Sequence, residues 1–302
     1  MPEFIVDTDW AFSQYERVRG TLPRAEFPAT STMINNLGDI ADQFDVFLLD
    51  AFGVLNVGET PIIGAAERVA TLQAMGKTAF VLTNGAGLPA EVSMAKYKRF
   101  GFDFTPETVV ASRGVLMAEI ARQPRVTWGC MALAGSALAQ FPAKILPLGD
   151  DVALYDKVGG FILLSSIDWT DYRQNILINS LKKNPRPVLV GNPDIVAPRE
   201  DGFSLEPGWF AHQIARSTGI APNFSGKPFS AIFAEARKRI PASIPDHRIA
   251  MVGDTLHTDI LGGKAAGFGT VLVLDHGLFK GKEIAGYIQE SGIVPDFIAP
   301  TT

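Results

Sequence analysis

The stretch "DVFLLDAFGVLNVG", residues 45–58, decides the fold. An apolar run ends on Asp50 and is followed by a turn at Gly53. A run this short, bounded by turn residues, is too brief for a helix. It predicts a strand buried on both faces, the pattern of a parallel sheet. Such a strand delivers a reactive carboxylate to the rim of the sheet.

Three further runs end the same way: "TAFVLTN" (78–84), "RIAMVGD" (248–254) and "GTVLVLD" (269–275). Between the first two strands, "GAAERVATLQAMGK" (64–77) is amphipathic and closes on Gly76, giving a strand–helix–strand crossover. Residues 228–241 predict a helix starting on Pro228 and stopping before Pro241. Residues 258–269 predict the helix that joins the last two strands. The middle of the chain carries its own strand candidates, 125–135, 157–166 and 185–194, with helical stretches at 170–183 and 207–218. The expected organisation is a doubly wound parallel α/β core, residues 1–104 and 223–302, interrupted by an inserted α/β domain at 105–222. Residues 1–40 are expected to hold a helix and a loop.

The 302 residues are 47% hydrophobic and 20% charged, which suits a folded chain with one large core or two unequal domains. The formal net charge is -5 and no Lys/Arg block occurs, so nucleic acid and anionic membrane are poor partners. Cys130 stands alone, with no disulfide partner and no zinc spacing, and a reducing, cytoplasmic setting is the simple expectation. The N-terminal residues read as neither a signal peptide nor a membrane anchor. No apolar run approaches the roughly 18–20 residues that span a bilayer.

In open α/β sheets ligands bind outside the carboxyl ends of the strands. The polar residues there are Asp50, Thr83, Asn84, Asp254 and, just beyond, Asp259. Carboxylates converging on one rim repel unless a cation joins them. All-oxygen donors favour a hard ion such as Mg²⁺, and no Cys/His cluster points to a softer one. Such a cluster accepts phosphate, with Asp50 as an oxygen nucleophile and Lys227, in "SGKPF", neutralising the phosphoryl oxygens.

These motifs resemble those of the haloacid dehalogenase (HAD) superfamily, and within it the NagD-like class IIA phosphatases. "FLLDAFGVL", "VLTNGAG", "GKP" and "VGDTLHTDILGG" are similar to its four motifs, in order, from about residue 44 to 276. "GNPD" at 191–194 is similar to the cap sequence of this class. The resemblance implies a doubly wound core with a cap domain and an aspartyl-phosphate on Asp50. It implies phosphoryl contacts from Thr83, Asn84 and Lys227, and Mg²⁺ held by Asp50, the Phe52 carbonyl, Asp254 and Asp259. Gly53, Asn192 and Asp194 would face a small phosphorylated substrate under the cap. A homodimer formed through the cap is a further expectation.

The sequence departs from the family pattern at one place. The family has an aspartate two residues after the nucleophile, which serves as general acid and base. Phe52 can do neither, although its carbonyl remains available to a metal. Losing that group costs about 10²–10⁴-fold, or about 3–5 kcal/mol of barrier. Three readings stay open: a phosphatase for esters with good leaving groups or a borrowed proton donor, a slow hydrolase or phosphotransferase, and a phosphate-ligand binding protein without turnover.

His257, in "GDTLHTDI", lies near the metal motif and is a candidate replacement acid; a loop histidine capping backbone groups is the plainer reading. His276 reads as a turn residue and His212 as part of a helix in the insertion. Trp128, Trp169 and Cys130 read as core. Ser165 and Ser166 lack the G-x-S-x-G elbow, and Asp150 and Asp151 read as a solvated turn.

Overall fold

A computed structural model describes residues 5–302. The first strand, Val46–Leu49, is buried at every position and lies inside a seven-stranded sheet. Thr78–Thr83 and Val109–Ala111 extend the sheet on one side. Ile249–Gly253, Gly269–Val273, Phe297–Ala299 and Thr32–Met33 extend it on the other. All pairings are parallel, so the chain winds outward twice from Val46–Leu49, as expected of a doubly wound core. The direction reverses between Val46–Leu49 and Ile249–Gly253, where Leu49 is in register with Val252. That switch point leaves a crevice at the carboxyl ends of the two strands.

The four long apolar runs became strands within a residue or two of expectation, because burial on both faces demands continuous apolar sequence. Three strands of this sheet were not legible: Thr32–Met33, Val109–Ala111 and Phe297–Ala299 are too short to show a pattern and are fixed by pairing with their neighbours. The expected helix from Pro228 begins at Ser230, with Phe229 as its N-cap. The expected helix at 258–269 opens instead with a π-helical turn, Leu256–Ile260, before the α-helix Leu261–Ala265.

The insertion is a second parallel sheet of five strands, ordered Asn223–Phe224, Val188–Val190, Gly160–Leu163, Trp128–Met131 and Ile145–Pro147. Its limits differ from the expected 105–222. Val109–Ala111 belongs to the larger sheet, and the helix Ser112–Ile120 packs on the core helix Ser230–Arg239. Asn223–Phe224, expected in the core, pairs in the smaller sheet. Two- and three-residue strands carry too little sequence to announce their partner.

Helix Thr8–Val18 is capped by Asp7, whose carboxylate accepts from Trp10 N at 2.8 Å. It crosses the joint between the two sheets. Its Ala11, Phe12, Tyr15 and Val18 pack in one apolar cluster with Leu256 and Ile260 of the core and Ile195 and Val196 of the insertion. Tyr15 Oη accepts the backbone N–H of Ile195 at 3.0 Å. Trp10 meets Trp209 edge-on, with ring centroids 5.0 Å apart. An antiparallel hairpin of the insertion, Val196–Arg199 with Gly202–Leu205, reaches back over the core. There Glu200 accepts the Glu59 backbone N–H at 2.8 Å. Among the described residues no helix is long and apolar enough to cross a membrane.

Candidate active site

Asp50 follows the central strand directly. Its backbone N–H donates to Val252 O at 2.9 Å, and its Oδ1 accepts from Ala51 N at 2.7 Å. The turn after it depends on Gly53, whose φ is +75°. A Cβ there would lie 2.6 Å from Asp254 Oδ2, so only glycine allows the two strand ends to approach.

Asp254 ends the neighbouring strand. Its Oδ1 accepts from Thr255 Oγ1 at 2.9 Å and its Oδ2 from Leu278 N at 2.8 Å. The π-helical turn brings Asp259 back under the strand, where its Oδ2 accepts from Thr255 N at 3.1 Å. Oxygens of Asp50, Asp254 and Asp259 all lie within 4.8 Å of one another.

Lys227 is buried beneath this cluster, 1% exposed, with Nζ 2.6 Å from Asp50 Oδ1 and 2.7 Å from Asp259 Oδ1. Burial pulls its ammonium down, but Asp259 and Asp50 outweigh that and hold it above the usual lysine range. Asn84 fixes the lysine's backbone. Its Oδ1 accepts from Lys227 N at 2.7 Å, and its Nδ2 donates to Lys227 O at 3.1 Å and to Asp194 Oδ1 at 2.8 Å. One amide thus ties the strand Thr78–Thr83, the Lys227 loop and the insertion together. Thr83 Oγ1 accepts from Gly85 N at 3.1 Å.

A single lysine does not balance three carboxylates. Burial pushes Asp50 up to about 6 against the pull of Lys227, and burial together with Asp259 and Asp50 pushes Asp254 up to about 8. Burial likewise raises Asp194 well above the carboxylate range. Oxygen-only donors this close, whose ionisation burial and mutual repulsion resist until a counter-charge joins them, fit a hard divalent cation.

The cluster opens into a cavity of about 410 Å³ between core and insertion. Asp50, Phe52, Thr83, Asn84, Asn192, Asp194 and Asp254 line it, while Gly53, Lys227 and Asp259 stand behind the wall. A larger cavity of about 600 Å³, walled by Leu22, Phe229, Phe233 and Phe268, lies elsewhere; among the described residues its one carboxylate is Asp246, already paired with Arg237. Chemistry rather than volume selects the smaller one. Asn192 is occupied in holding the wall: its Nδ2 donates to Glu206 Oε2 at 3.1 Å and its Oδ1 accepts from Asp194 N at 2.9 Å.

His257 does not reach this cavity. It is fully buried, with Nε2 2.5 Å from Glu16 Oε1 and its ring stacked on Tyr15. Burial holds it below the usual histidine range. His276 bonds Thr301 Oγ1 at 3.0 Å, and Trp128 and Cys130 are buried in the smaller domain's core. Ser165 and Ser166 line the cavity without a histidine beside them. Sequence reasoning missed Lys96, Arg199 and Glu206, which also line it. None lies in a motif; they meet only because the helix Ala90–Arg99 faces the hairpin Val196–Leu205 and Glu206, the N-cap residue of the helix Pro207–Thr218, across the site.

The chain matches two family models, "Haloacid dehalogenase-like hydrolase" over residues 47–144 and a HAD-hydrolase-like model over residues 224–301. It is 26% identical over 232 residues to an acid sugar phosphatase of Staphylococcus aureus, covering 76% of this chain and 86% of that one. Among solved structures it resembles one described as a "possible sugar phosphatase, HAD superfamily" from Cytophaga hutchinsonii. The TM-score is 0.76 at 27% identity, covering 90% of this chain and 98% of that one. It shares its fold with a glycerol phosphate phosphatase of Mycobacterium tuberculosis solved in complex with magnesium. There the TM-score is 0.66 at 24% identity, covering 86% of this chain and 76% of that one.

Proposed function

This chain belongs to the haloacid dehalogenase-like superfamily, in its NagD-like class of phosphatases, and from that premise we propose that it hydrolyses a small phosphomonoester, sugar-phosphate-like or aryl, through a phosphoryl group carried on Asp50. The observation that carries the reading is the Asp50 carboxylate itself. It ends the central strand, lines the cavity and is backed by a buried lysine at 2.6 Å.

An Asp50 oxygen attacks phosphorus, and the bond from phosphorus to the leaving oxygen breaks. Water then attacks the phosphorus of the aspartyl-phosphate, releasing inorganic phosphate and restoring Asp50. Lys227 holds the nucleophile in place and balances the charge that accumulates as the phosphoryl group arrives. The Thr83 hydroxyl, on the cavity wall, would bind a phosphoryl oxygen, and Asn84 keeps Lys227 and Asp194 in register. Asp50, Asp254, Asp259 and the Phe52 carbonyl would hold Mg²⁺, which when bound neutralises the acidic cluster and the phosphoryl oxygens.

Phe52 offers no proton to the leaving oxygen, so the rate should depend steeply on leaving-group pKa. The same residue favours a second reading, a phosphate-ligand binding protein with little turnover. Release of 4-nitrophenol from its phosphate ester separates the two. It should require Mg²⁺, disappear in Asp50→Asn, and leave wild type transiently heavier by one phosphoryl group in mass spectrometry. Wild type and Asp50→Asn equally silent across a phosphate ester panel would leave only the binding reading.

A further inference from the structure

The side chain that replaces the usual carboxylate has two cations on its ring. Lys96 Nζ lies 5.1 Å from the Phe52 ring centroid, and the Arg199 guanidinium carbon also lies 5.1 Å away. Lys96 comes from the core helix Ala90–Arg99 and Arg199 from the hairpin of the insertion. All three line the cavity that holds Asp50.

Aromatic contact alone does not account for this pair. One cation on a ring contributes about 0.5–1 kcal/mol at an exposed site, but two like charges beside one ring repel each other. Lys96 is the less satisfied. Its side chain is 16% exposed, and its carboxylate neighbour, Glu59, stands 4.0 Å away. Glu59 is itself 72% exposed and bonded to Arg99 at 3.0 Å, a loose arrangement that solvent screens. Burial, with Arg199 adding repulsion, holds the Lys96 ammonium below its usual range. An ammonium so far out of water calls for an acceptor.

Arg199 is firmly placed. Its Nε donates to Ser204 Oγ at 2.8 Å and its Nη2 to Glu206 Oε1 at 2.9 Å, which commits two of the five N–H groups of a guanidinium. The carboxylate beside Arg199, by contrast, is satisfied: Glu206 accepts from Asn192, Arg199 and Ser204. The bonding capacity left around the Phe52 ring is therefore that of the two cations.

We infer that the substrate carries a second anionic group, a carboxylate or a second phosphate, which binds between Lys96 and Arg199 beside the Phe52 ring while its phosphoryl group meets Asp50. This rests on the phosphatase reading for its chemistry but not for its binding geometry. Asp50, Lys96 and Arg199 line one cavity of about 410 Å³, so the carbon skeleton of the substrate would join the phosphoryl group at Asp50 to the anionic group at the cations. Phe52 supplies an apolar side to that chain and orients the two cations.

The test compares matched esters with Mg²⁺ present: 3-phosphoglycerate against glycerol 3-phosphate, and fructose 1,6-bisphosphate against fructose 6-phosphate. In wild type, kcat/KM should be at least about tenfold higher for the charged member of one pair, and which pair responds tells carboxylate from phosphate. In Lys96→Met and in Arg199→Met the ratio should fall toward one, each variant using its own neutral ester as reference. Arg199→Lys, which keeps a charge, should retain part of the preference and guards against a collapsed hairpin. The same pairs are titrated calorimetrically into Asp50→Asn, where the charged member should bind about tenfold tighter. That arm reads the pocket even if wild type hydrolyses nothing, so a failed phosphatase reading is seen separately. Equal kcat/KM and equal binding within both pairs would overturn the inference, as would a preference that survives both methionine substitutions.

Discussion

Lys227 sits between two carboxylates in a place that water barely reaches, so each side chain is tolerable only because of the others. Removing the cation leaves Asp50 and Asp259 facing each other unbalanced. Lys227→Met should therefore destabilise the fold by about 3 kcal/mol, read by urea denaturation, as well as abolish turnover. Phe52→Asp tests the opposite kind of change. If the missing proton donor limits alkyl esters, this variant should raise kcat on glycerol 3-phosphate by at least about tenfold in a phosphate-release assay. An unchanged rate would place the proton source elsewhere. A third residue reports on pH. Burial, helped by Arg216, holds His212 down to about 4, whereas an unfolded histidine titrates near 6.5. Below pH 6.5 the unfolded chain binds a proton that the folded chain refuses. Stability is thus lost as pH falls from about 6.5 to about 4, by about 3 kcal/mol at most, and not further below. His212→Gln should flatten that limb in denaturation curves taken across the range. Motif residues such as Asp50, Thr83 and Asp254 were legible because each ends an apolar run. His257 was legible only as a neighbour of the motif; that it faces Tyr15 and Glu16 depends on a helix some 240 positions earlier in the chain.

At the scale of elements, the site is made by three turns rather than by the strands they follow. The Gly53 turn, the π-helical turn at Leu256–Ile260 and the turn ending in Asp194 aim carboxylates that the sheet alone would splay. Gly53→Ala would force a side chain into a left-handed conformation and against Asp254. The backbone term alone costs about 1–2 kcal/mol. The larger effect should fall on the metal site, with the Mg²⁺ concentration for half-maximal activity rising at least about tenfold. The long strands and the helices Ala65–Ala74, Asp171–Lys183 and Pro207–Thr218 follow apolar periodicity and were legible for that reason. The π-helical turn was not, since its sequence reads as ordinary helix and its extra residue is selected by where Asp259 must go. The hairpin that carries Arg199 packs Val196, Phe203 and Leu205 on an apolar cluster, but its strands of four residues are too short for a pattern to announce them.

Over the whole molecule, a parallel core with an inserted α/β unit follows from the order of apolar runs, but the seams do not. Which sheet Val109–Ala111 and Asn223–Phe224 join is decided by pairing across the fold, and no local pattern records it. The helix Thr8–Val18 is the least foreseeable part, because its role lies in what it touches on both sides of the joint. Tyr15→Phe removes the acceptor for Ile195 N–H and leaves a buried donor unpaired, at about 1–3 kcal/mol. Hydrogen exchange at Ile195 should speed up in that variant before exchange in the sheets does.

That brace has a calorimetric consequence. Core and insertion each own a sheet and an apolar cluster, and such pairs ordinarily melt in separate steps. Here one cluster, with Phe12 and Tyr15 at its centre, draws side chains from both. Heating either unit strips cover from the other, so scanning calorimetry should record a single peak whose enthalpy belongs to the whole chain. Phe12→Ala, which empties the middle of the shared cluster, should split that peak in two.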